Sequence, residues 1–140
     1  MTVRVWMTAN PETIGPRDML ALAQEKMIRG RYRRLPVLDE SGALIGILAQ
    51  GDLRPFSGYL PTTRVDAAMV EPAITIGPDE PFESAAKVML ERKVGGLPVL
   101  DAGGKLIGII TESDLLRVLL RPRARTIGGS PRCTGPDPYA

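Results

Sequence analysis

Apolar side chains recur at helical spacing in two separate stretches of the chain. In the first stretch Met19, Ala23 and Met27 follow one another at every fourth position, which predicts an amphipathic helix that ends near Gly30. In the second stretch, a proline suited to a first helical turn precedes the same kind of face, formed by Phe82, Ala85, Ala86, Met89 and Leu90. A brief extended segment that ends at a Gly-Pro pair precedes each stretch. We therefore expect two amphipathic helices, each preceded by a short strand.

Two pairs of short β-rich runs follow these helices. In the first pair, residues 35–38 and 44–48 flank a turn that contains Gly42, and a glycine there can adopt a positive φ. The second pair, 62 residues later, has the same arrangement. Each pair predicts a hairpin, and each hairpin leads into a second helix that opens at Gly51-Asp52 or at Ser113-Asp114. The predicted order is strand, helix, strand, strand, helix, twice over.

The pattern appears twice because the sequence repeats itself at an offset of 62 residues. Without any gap, 20 of the 52 residues in 3–54 are identical to those in 65–116, where chance gives about three or four. The longest identical runs are Leu-Pro-Val-Leu-Asp, from Leu35 and from Leu97, and Leu-Ile-Gly-Ile, from Leu44 and from Leu106. A copy of about 50 residues is too short to bury its apolar face alone. We expect the two copies to pack on each other with approximate two-fold symmetry and to bind any ligand between them.

This organisation predicts an α/β (α+β) fold built from two β-α-β-β-α motifs. The first motif is expected over residues 1–58 and the second over 65–120, with a linker at 59–64 that contains glycine and proline. Residues 121–140 are rich in proline, glycine and arginine and lack periodicity, so they are expected to form a flexible tail.

Composition excludes several classes of chemistry. The chain of 140 residues has no histidine and a single cysteine, Cys133, so an internal disulfide, a zinc site and a histidine-activated nucleophile are not expected. No apolar run approaches the ~18 residues of a membrane span, and the N-terminus lacks the features of a signal peptide. We therefore expect a cytoplasmic protein without a metal site.

Charge and the last predicted helix bear on partners. The net charge is +2, but residues 121–140 carry +3 and the preceding 120 residues −1, so nucleic-acid binding by the folded body is not favoured. The run 115–120 is apolar on more than one face of its helix, which a domain of this size cannot bury alone. We expect a homodimer through this helix and its neighbours; the alternative is that the tail or the linker covers it.

Taken together, the Leu-Pro-Val-Leu-Asp run, the glycine turn, the Leu-Ile-Gly-Ile run and Thr111-Glu112-Ser113-Asp114-Leu115 resemble the cystathionine-β-synthase (CBS) domain. Two tandem copies resemble a CBS pair, and the resemblance covers residues 3 to about 120. In that family such pairs often regulate an enzyme or channel on the same chain. The resemblance implies a stand-alone CBS protein whose ligand is an adenine nucleotide such as AMP, ADP or ATP.

A binding site follows from Thr111 and Asp114, which lie three residues apart beside a predicted helix N-terminus. Backbone N–H groups there favour a phosphate, and a carboxylate can accept from both hydroxyls of a ribose. The resemblance assigns Thr111 to the phosphate and Asp114 to the ribose. The resemblance also implies that residues of the first copy line the same cleft from the other side of the pseudo-two-fold axis, where they contact the adenine or supply basic groups to the phosphate. These residues are Thr13, Ile14, Arg33, Arg34, Leu35 and Pro36. The alternatives are that Ser113 or Asp114 only caps the helix and that the arginines form a solvated loop.

The opposite cleft is expected to be weaker. Its aspartate is Asp52, but Ala49 replaces the threonine and Gly95-Gly96 replaces the arginine pair, so a phosphate would meet neither a hydroxyl nor a guanidinium from those positions. The remaining pocket residues implied by the resemblance are Thr75, Ile76, Leu97 and Pro98. We expect asymmetric occupancy, with the Asp52 cleft weak or empty.

The leading functional hypothesis is a regulatory module that senses an adenosyl ligand and modulates an unknown partner protein. One alternative is a structural dimerisation or scaffold protein with vestigial clefts. Another is a nucleic-acid-binding accessory protein that uses the arginine run and the basic tail. An enzyme is the least favoured class because the sequence offers no histidine, no paired carboxylates at a set spacing and no metal cluster.

Overall fold

The computed structural model describes residues 1–122, and the expected tail from residue 123 onward, with Cys133, lies outside the described residues. The first repeat contains α1 (Val3–Trp6), β1 (Thr8–Ala9), α2 (Leu20–Gly30), β2 (Arg34–Leu38) and β3 (Leu44–Ala49). Three short 3₁₀ helices follow at Gln50–Phe56, Leu60–Thr62 and Val65–Ala67. The second repeat continues with α3 (Phe82–Arg92), β4 (Gly96–Leu100), β5 (Leu106–Thr111) and α4 (Glu112–Leu120). The mixed helix and strand fold predicted from the sequence is thus confirmed.

Both predicted hairpins are present as antiparallel strand pairs, β2 with β3 and β4 with β5. Gly42 and Gly104 occupy equivalent turn positions with φ of 86° and 82°, a conformation that favours glycine. The extended segment before each helix is reduced to one parallel bridge, between Ile14 and Val37 in the first repeat and between Ile76 and Val99 in the second.

The second helix differs between the repeats. In the second repeat it is the nine-residue α4, whereas in the first repeat the chain forms a seven-residue 3₁₀ helix over Gln50–Phe56. Pro55 lies inside this 3₁₀ helix and occupies the position of Arg117 in α4. Because proline has no backbone N–H, it cannot donate the hydrogen bond that an α-helix needs at that point. The expected pair of equal helices is therefore replaced by one α-helix and one 3₁₀ helix.

The N-terminal segment of each repeat packs on the other repeat. β1 pairs with β5, with Thr8 opposite Ile109, and Val70 exchanges two backbone hydrogen bonds of 2.9 and 3.0 Å with Ile47. Val3 is fully buried in the core of the second repeat, together with Ile76, Phe82 and Leu97. Val65 is fully buried in the core of the first repeat, together with Ile14, Leu20 and Leu35. The two halves are therefore interlocked by an exchange of these segments around the pseudo-dyad.

Equivalent positions of the repeats form the two cores. Each core holds one apolar face of its amphipathic helix, the centre of its hairpin and the exchanged segment. Pairs of buried residues related by the 62-residue offset are Ile14 and Ile76, Leu20 and Phe82, Ala23 and Ala85, Met27 and Met89, Leu35 and Leu97, Val37 and Val99, and Leu48 and Ile110. The motif boundaries at residues 58, 65 and 120 stay predictions.

Apolar side chains also remain on the outside of the helices. In α4, Leu115 and Val118 pack on the second core, while Leu116, Leu119 and Leu120 are exposed. Ile28 of α2 and Leu90 of α3, which are equivalent by the 62-residue offset, are exposed as well. Within residues 1–122 no helix is long and apolar enough to cross a membrane.

Candidate functional site

One cavity of about 430 Å³ lies between the repeats. Small-molecule sites commonly have volumes of about 300–1,000 Å³, so this cavity is large enough for a nucleotide-sized ligand. Its walls come from the segment after β1, the segment that joins α2 to β2, the end of β5 and the first turns of α4. The lining residues are Thr8, Pro11, Glu12, Gly30, Arg31, Tyr32, Arg33, Arg34, Ile109, Thr111, Ser113 and Arg117.

The segment 30–34 forms the first-repeat wall of this cavity. Arg31 ends α2 in the left-handed conformation, with φ of 58°, and its backbone N–H donates to the Met27 carbonyl. A side chain at Gly30 would overlap the ring of Tyr32, so the glycine lets this aromatic ring lie close to the helix end. The Arg33 carbonyl accepts from the backbone N–H of Gln50 at 2.8 Å, which fixes the segment at the start of β2. Three arginines and one tyrosine are thereby presented to the cavity.

The second-repeat wall is built around Asp114, which is 3% exposed. One of its carboxylate oxygens accepts from the backbone N–H of Thr111 at 2.8 Å and from the Thr111 hydroxyl at 3.3 Å. The other oxygen accepts from Arg117 Nη1 at 2.7 Å. Asp52 makes the matching contact in the first repeat, because its carboxylate accepts from the backbone N–H of Ala49 at 2.7 Å. Both aspartates therefore fix the start of a helix as its third residue, and the N-cap itself is Thr111 or Ala49. The expectation that Ser113 or Asp114 is the N-cap is thus wrong by two or three residues.

Arg34 connects the two walls. Its Nη2 lies 3.4 Å from Oε1 of Glu112, the first residue of α4, in the other repeat. A Cβ on Gly96 would lie 2.6 Å from the Arg34 side chain, and a Cβ on Gly95 would overlap both the guanidinium and the Glu112 carboxylate. The glycine pair of the second repeat thus leaves the space that Arg34 occupies.

The structure brings only some of the predicted first-site residues to this cavity. Arg33, Arg34 and Thr111 line it, and Asp114 lies directly behind Thr111. Ile14, Leu35 and Pro36 are instead buried in or beside the core of the first repeat, so their side chains are not part of the lining. Thr13 lies next to Ile14, and its carbonyl accepts from Lys26 Nζ at 2.7 Å.

The predicted residues of the second cleft are also dispersed. Ile76, Leu97 and Pro98 are buried in the second half of the molecule. Thr75 and the edge of Ile76 line a separate surface depression of about 370 Å³ together with Gly77, Glu80 and Ser84, and Asp52 is not part of that lining. Ligand contacts of all these residues stay predictions.

Several lining residues were missed from the sequence. Arg117 lies one helical turn after Asp114, so the i, i+3 spacing was a usable signal for it. Ser113 was considered only as a helix cap, and Tyr32 lies next to Arg33 in the sequence. Thr8, Pro11 and Glu12 had no local signal, because they reach the second repeat only through the exchange of N-terminal segments.

The comparison with known families bears directly on this architecture. The sequence model of the CBS domain matches residues 3–57 and 65–121. The chain belongs to the CBS domain family. The resemblance described from the repeated motifs is therefore confirmed, and the protein is a CBS pair.

Curated relatives include a protein of similar length and longer enzymes. A CBS domain-containing protein of Dictyostelium discoideum is 36% identical over an alignment of 132 positions that covers 85% of this chain and 91% of that protein. Homoserine O-acetyltransferase of Methanococcoides burtonii is 33% identical over 113 residues, which cover 81% of this chain but only 23% of the enzyme. The chain thus spans less than a quarter of the length of that enzyme.

Solved structures share the fold over most of the chain. The CBS domain pair of protein MJ0100, in complex with 5′-methylthioadenosine and S-adenosyl-L-methionine, superposes with a TM-score of 0.79 at 26% identity and covers 85% of this chain and 95% of that one. CBSX2 in complex with AMP superposes with a TM-score of 0.74 at 30% identity and covers 85% of this chain and 96% of that one.

Proposed function

We propose that this CBS pair is a regulatory module that binds an adenosine-containing ligand in the cavity between its repeats. The observation that carries the proposal is the convergence of Arg33 and Arg34 from the first repeat with Thr111 and Ser113 from the second around one cavity. Guanidinium groups, hydroxyls and the N-terminus of α4 are all groups that bind phosphate oxygens. Complexes of similar CBS pairs with AMP and with S-adenosyl-L-methionine support the adenosyl class of ligand.

In the proposed complex the phosphate lies near the start of α4 and the base lies near Tyr32. The Tyr32 ring is partly exposed in the cavity wall and offers a flat apolar face for an adenine. AMP has about 23 non-hydrogen atoms, and ~0.3 kcal/mol for each gives about 7 kcal/mol, or a dissociation constant near ten micromolar. An affinity of this order suits a sensor whose occupancy follows the ligand concentration.

The ligand is proposed to act on a partner protein by changing how the two repeats sit against each other. A ligand that contacts both walls favours the arrangement in which the walls are closest, and it shifts the equilibrium only by its difference in affinity for the two arrangements. Couplings of this kind are of order 1–3 kcal/mol. The partner, the cytoplasmic location and the absence of enzymatic activity stay predictions.

We also propose that the protein is a homodimer through its helices. One side of α4 packs on the core, and the leucines at 116, 119 and 120 form a second apolar surface of the helix that is exposed. Exposed clusters of large apolar side chains commonly mark an interaction surface. A second copy of the chain offers the same apolar surface and would cover it.

A thermal-shift panel tests ligand binding. AMP, ADP, ATP, 5′-methylthioadenosine and S-adenosyl-L-methionine are each added at millimolar concentration, about 100 times the expected dissociation constant. At that ratio a bound ligand stabilises the fold by about 2.7 kcal/mol, which raises the melting temperature by several degrees. If none of the five raises it, the scaffold alternative is favoured over the sensor.

A substitution pair shows whether the stabilising ligand occupies this cavity. Arg33→Ala removes a lining guanidinium and is expected to reduce the shift, whereas Arg92→Ala, on the exposed side of α3 and outside the lining, is expected to leave it unchanged. An equal shift in the two variants would place the ligand elsewhere on the molecule.

A further inference from the structure

Four arginines line the cavity, and only two of them form an ion pair with a carboxylate of residues 1–122. Arg34 faces Glu112 at 3.4 Å, and Arg117 donates to Asp114 at 2.7 Å. Arg31 and Arg33 form no ion pair with any residue between 1 and 122. Two guanidinium groups in the wall are therefore unpaired within this part of the chain and can bind an anion directly.

Acidic groups do not cancel this positive charge. Glu12 is the one acidic residue in the cavity lining over residues 1–122, and Lys26 Nζ lies 3.0 Å from its carboxylate. Two further carboxylates lie at the site, and each forms an ion pair with one arginine: Glu112 with Arg34, and Asp114 with Arg117. Counting these neighbours, the cavity wall keeps a net positive charge.

We infer that the cavity selects among adenosyl ligands by charge, binding ATP and ADP more tightly than AMP and excluding the cationic S-adenosyl-L-methionine. This inference rests on the proposed function and names the ligand class within it. A single phosphate has three terminal oxygens, which one or two guanidinium groups and the N-terminus of α4 already satisfy. The unpaired guanidinium groups of Arg31 and Arg33 offer donors for additional phosphates. S-adenosyl-L-methionine carries a sulfonium, an ammonium and a carboxylate, and its net positive charge would instead meet like charge in a partly enclosed space.

Arg31 provides a clean test because its backbone conformation favours glycine. It is the residue just past the end of α2, with φ of 58°, and Lys93 occupies the equivalent place after α3, with φ of 55°. Glycine is the preferred residue at this position of a helix, so Arg31→Gly removes the charge without backbone strain. Lys93→Gly makes the same change in backbone and charge outside the cavity lining and is the matched control.

Isothermal titration of the full chain in low-salt buffer with EDTA measures the affinities, so that metal ions do not mask the phosphate charges. For the unchanged protein we expect a dissociation constant for ATP at least tenfold below that for AMP, and no measurable binding of S-adenosyl-L-methionine. In Arg31→Gly the affinity for ATP is expected to fall about fivefold to tenfold and the affinity for AMP by less, because the additional phosphates lose a donor. In Lys93→Gly both affinities are expected to stay within about twofold of the original.

The outcomes separate this inference from the proposed function. Equal affinities for ATP and AMP, or binding of S-adenosyl-L-methionine as tight as that of AMP, would overturn charge selection and leave adenosyl binding in place. Equal losses in Arg31→Gly and Lys93→Gly would show that bulk charge, rather than this wall, governs affinity and would also overturn the inference. Absence of binding by every adenosyl ligand would overturn the proposed function itself. A melting temperature of Arg31→Gly at or above that of the original protein verifies that its fold is intact.

Discussion

The Arg34 guanidinium lies 3.4 Å from the Glu112 carboxylate, although 78 residues separate them along the chain. Arg34 begins β2 of the first repeat, and Glu112 begins α4 of the second. Arg34 is 21% exposed and Glu112 is 65% exposed, so the carboxylate reaches the guanidinium from the solvent side. A ligand phosphate that binds at the start of α4 must compete with this carboxylate for the same arginine.

Glu112→Gln is therefore expected to increase the affinity for a nucleotide about threefold to tenfold. The substitution keeps the size of the side chain and removes the negative charge that occupies Arg34 and repels a phosphate. Titration calorimetry with ATP or AMP measures the change. Glu91→Gln, an exposed residue of α3 paired with Lys87 at 4.0 Å, is the control and should leave the affinity unchanged. A loss of affinity in Glu112→Gln would show that Glu112 supports the bound state instead.

The two aspartates that accept from the backbone N–H at a helix start allow the asymmetry of the clefts to be tested. Asp114 also pairs with Arg117, whereas Asp52 forms no ion pair within residues 1–122. Asp114→Asn and Asp52→Asn each keep an oxygen that can accept the N–H at the helix start, and each removes the carboxylate charge. If the ribose is held by Asp114, its variant should bind nucleotide at least tenfold more weakly, while the Asp52 variant should change less than twofold. Calorimetry with one nucleotide decides this, and equal losses in both variants would refute a single dominant site.

The exchange of N-terminal segments predicts a crosswise effect on stability. Val3→Ala removes two methyl groups from the core that contains Phe82, and it is expected to lower the free energy of unfolding by about 2 kcal/mol. In native-state hydrogen exchange, the amides of α3 should lose more protection than those of α2. Val65→Ala, the equivalent residue, should do the reverse because it packs with Leu20. If Val3→Ala reduces the protection of α2 amides more than that of α3 amides, the exchange of N-terminal segments between the repeats is contradicted.

Local patterns in the sequence were sufficient to predict the hairpins and amphipathic helices. The identical runs from Leu35 and Leu97 specify the same β-strand in both repeats, and the turn glycines fix where each strand reverses. The exchange was not predictable, because Val3 and Val65 are identical, and an identical residue fits the core of either repeat equally well. A tertiary contact alone distinguishes the two arrangements.

The site was only partly predictable for a related reason. Leu35 and Pro36 belong to a strand that is buried at its centre, and an apolar strand has the same sequence pattern whether it contacts a ligand or only the core. The Arg34–Glu112 pair joins distant parts of the sequence, so no local spacing indicates it. Pro55, inside the 3₁₀ helix at Gln50–Phe56, replaces the arginine found at the equivalent position of α4 and disfavours an α-helix there.

The turn of the first hairpin gives a pH-dependent prediction. Hydrogen bonds from the Ser41 hydroxyl and from the Ala43 backbone hold the pKa of Asp39 below its usual value of 3.8. A folded-state pKa below that of the unfolded chain means that the ionised group stabilises the fold above about pH 4. This contribution is lost as the pH falls through the lowered pKa. Ser41→Ala should therefore lower the free energy of unfolding at pH 7 and make that free energy depend less on pH below pH 4. Urea denaturation at several pH values measures both effects. If the pH dependence below pH 4 is the same in the variant, Asp39 is not its cause.

The exposed face of α4 leads to a prediction about assembly. Leu119 is 75% exposed, and burying such a side chain contributes about 2 kcal/mol, so three leucines on one helix can stabilise a dimer. Light scattering after size exclusion should give about twice the chain mass of 15.1 kDa for the original protein at micromolar concentration and 15.1 kDa for Leu119→Glu. Val5→Glu changes a residue of α1 that is 69% exposed; it is the control and should remain dimeric.

A truncated chain that ends at residue 122 tests the alternative that the C-terminal residues form the interface. It should also remain dimeric, since a dimer held by α4 does not need the residues beyond it. A monomeric original protein would contradict the dimer, and loss of the dimer on truncation alone would assign the interface to the C-terminal residues.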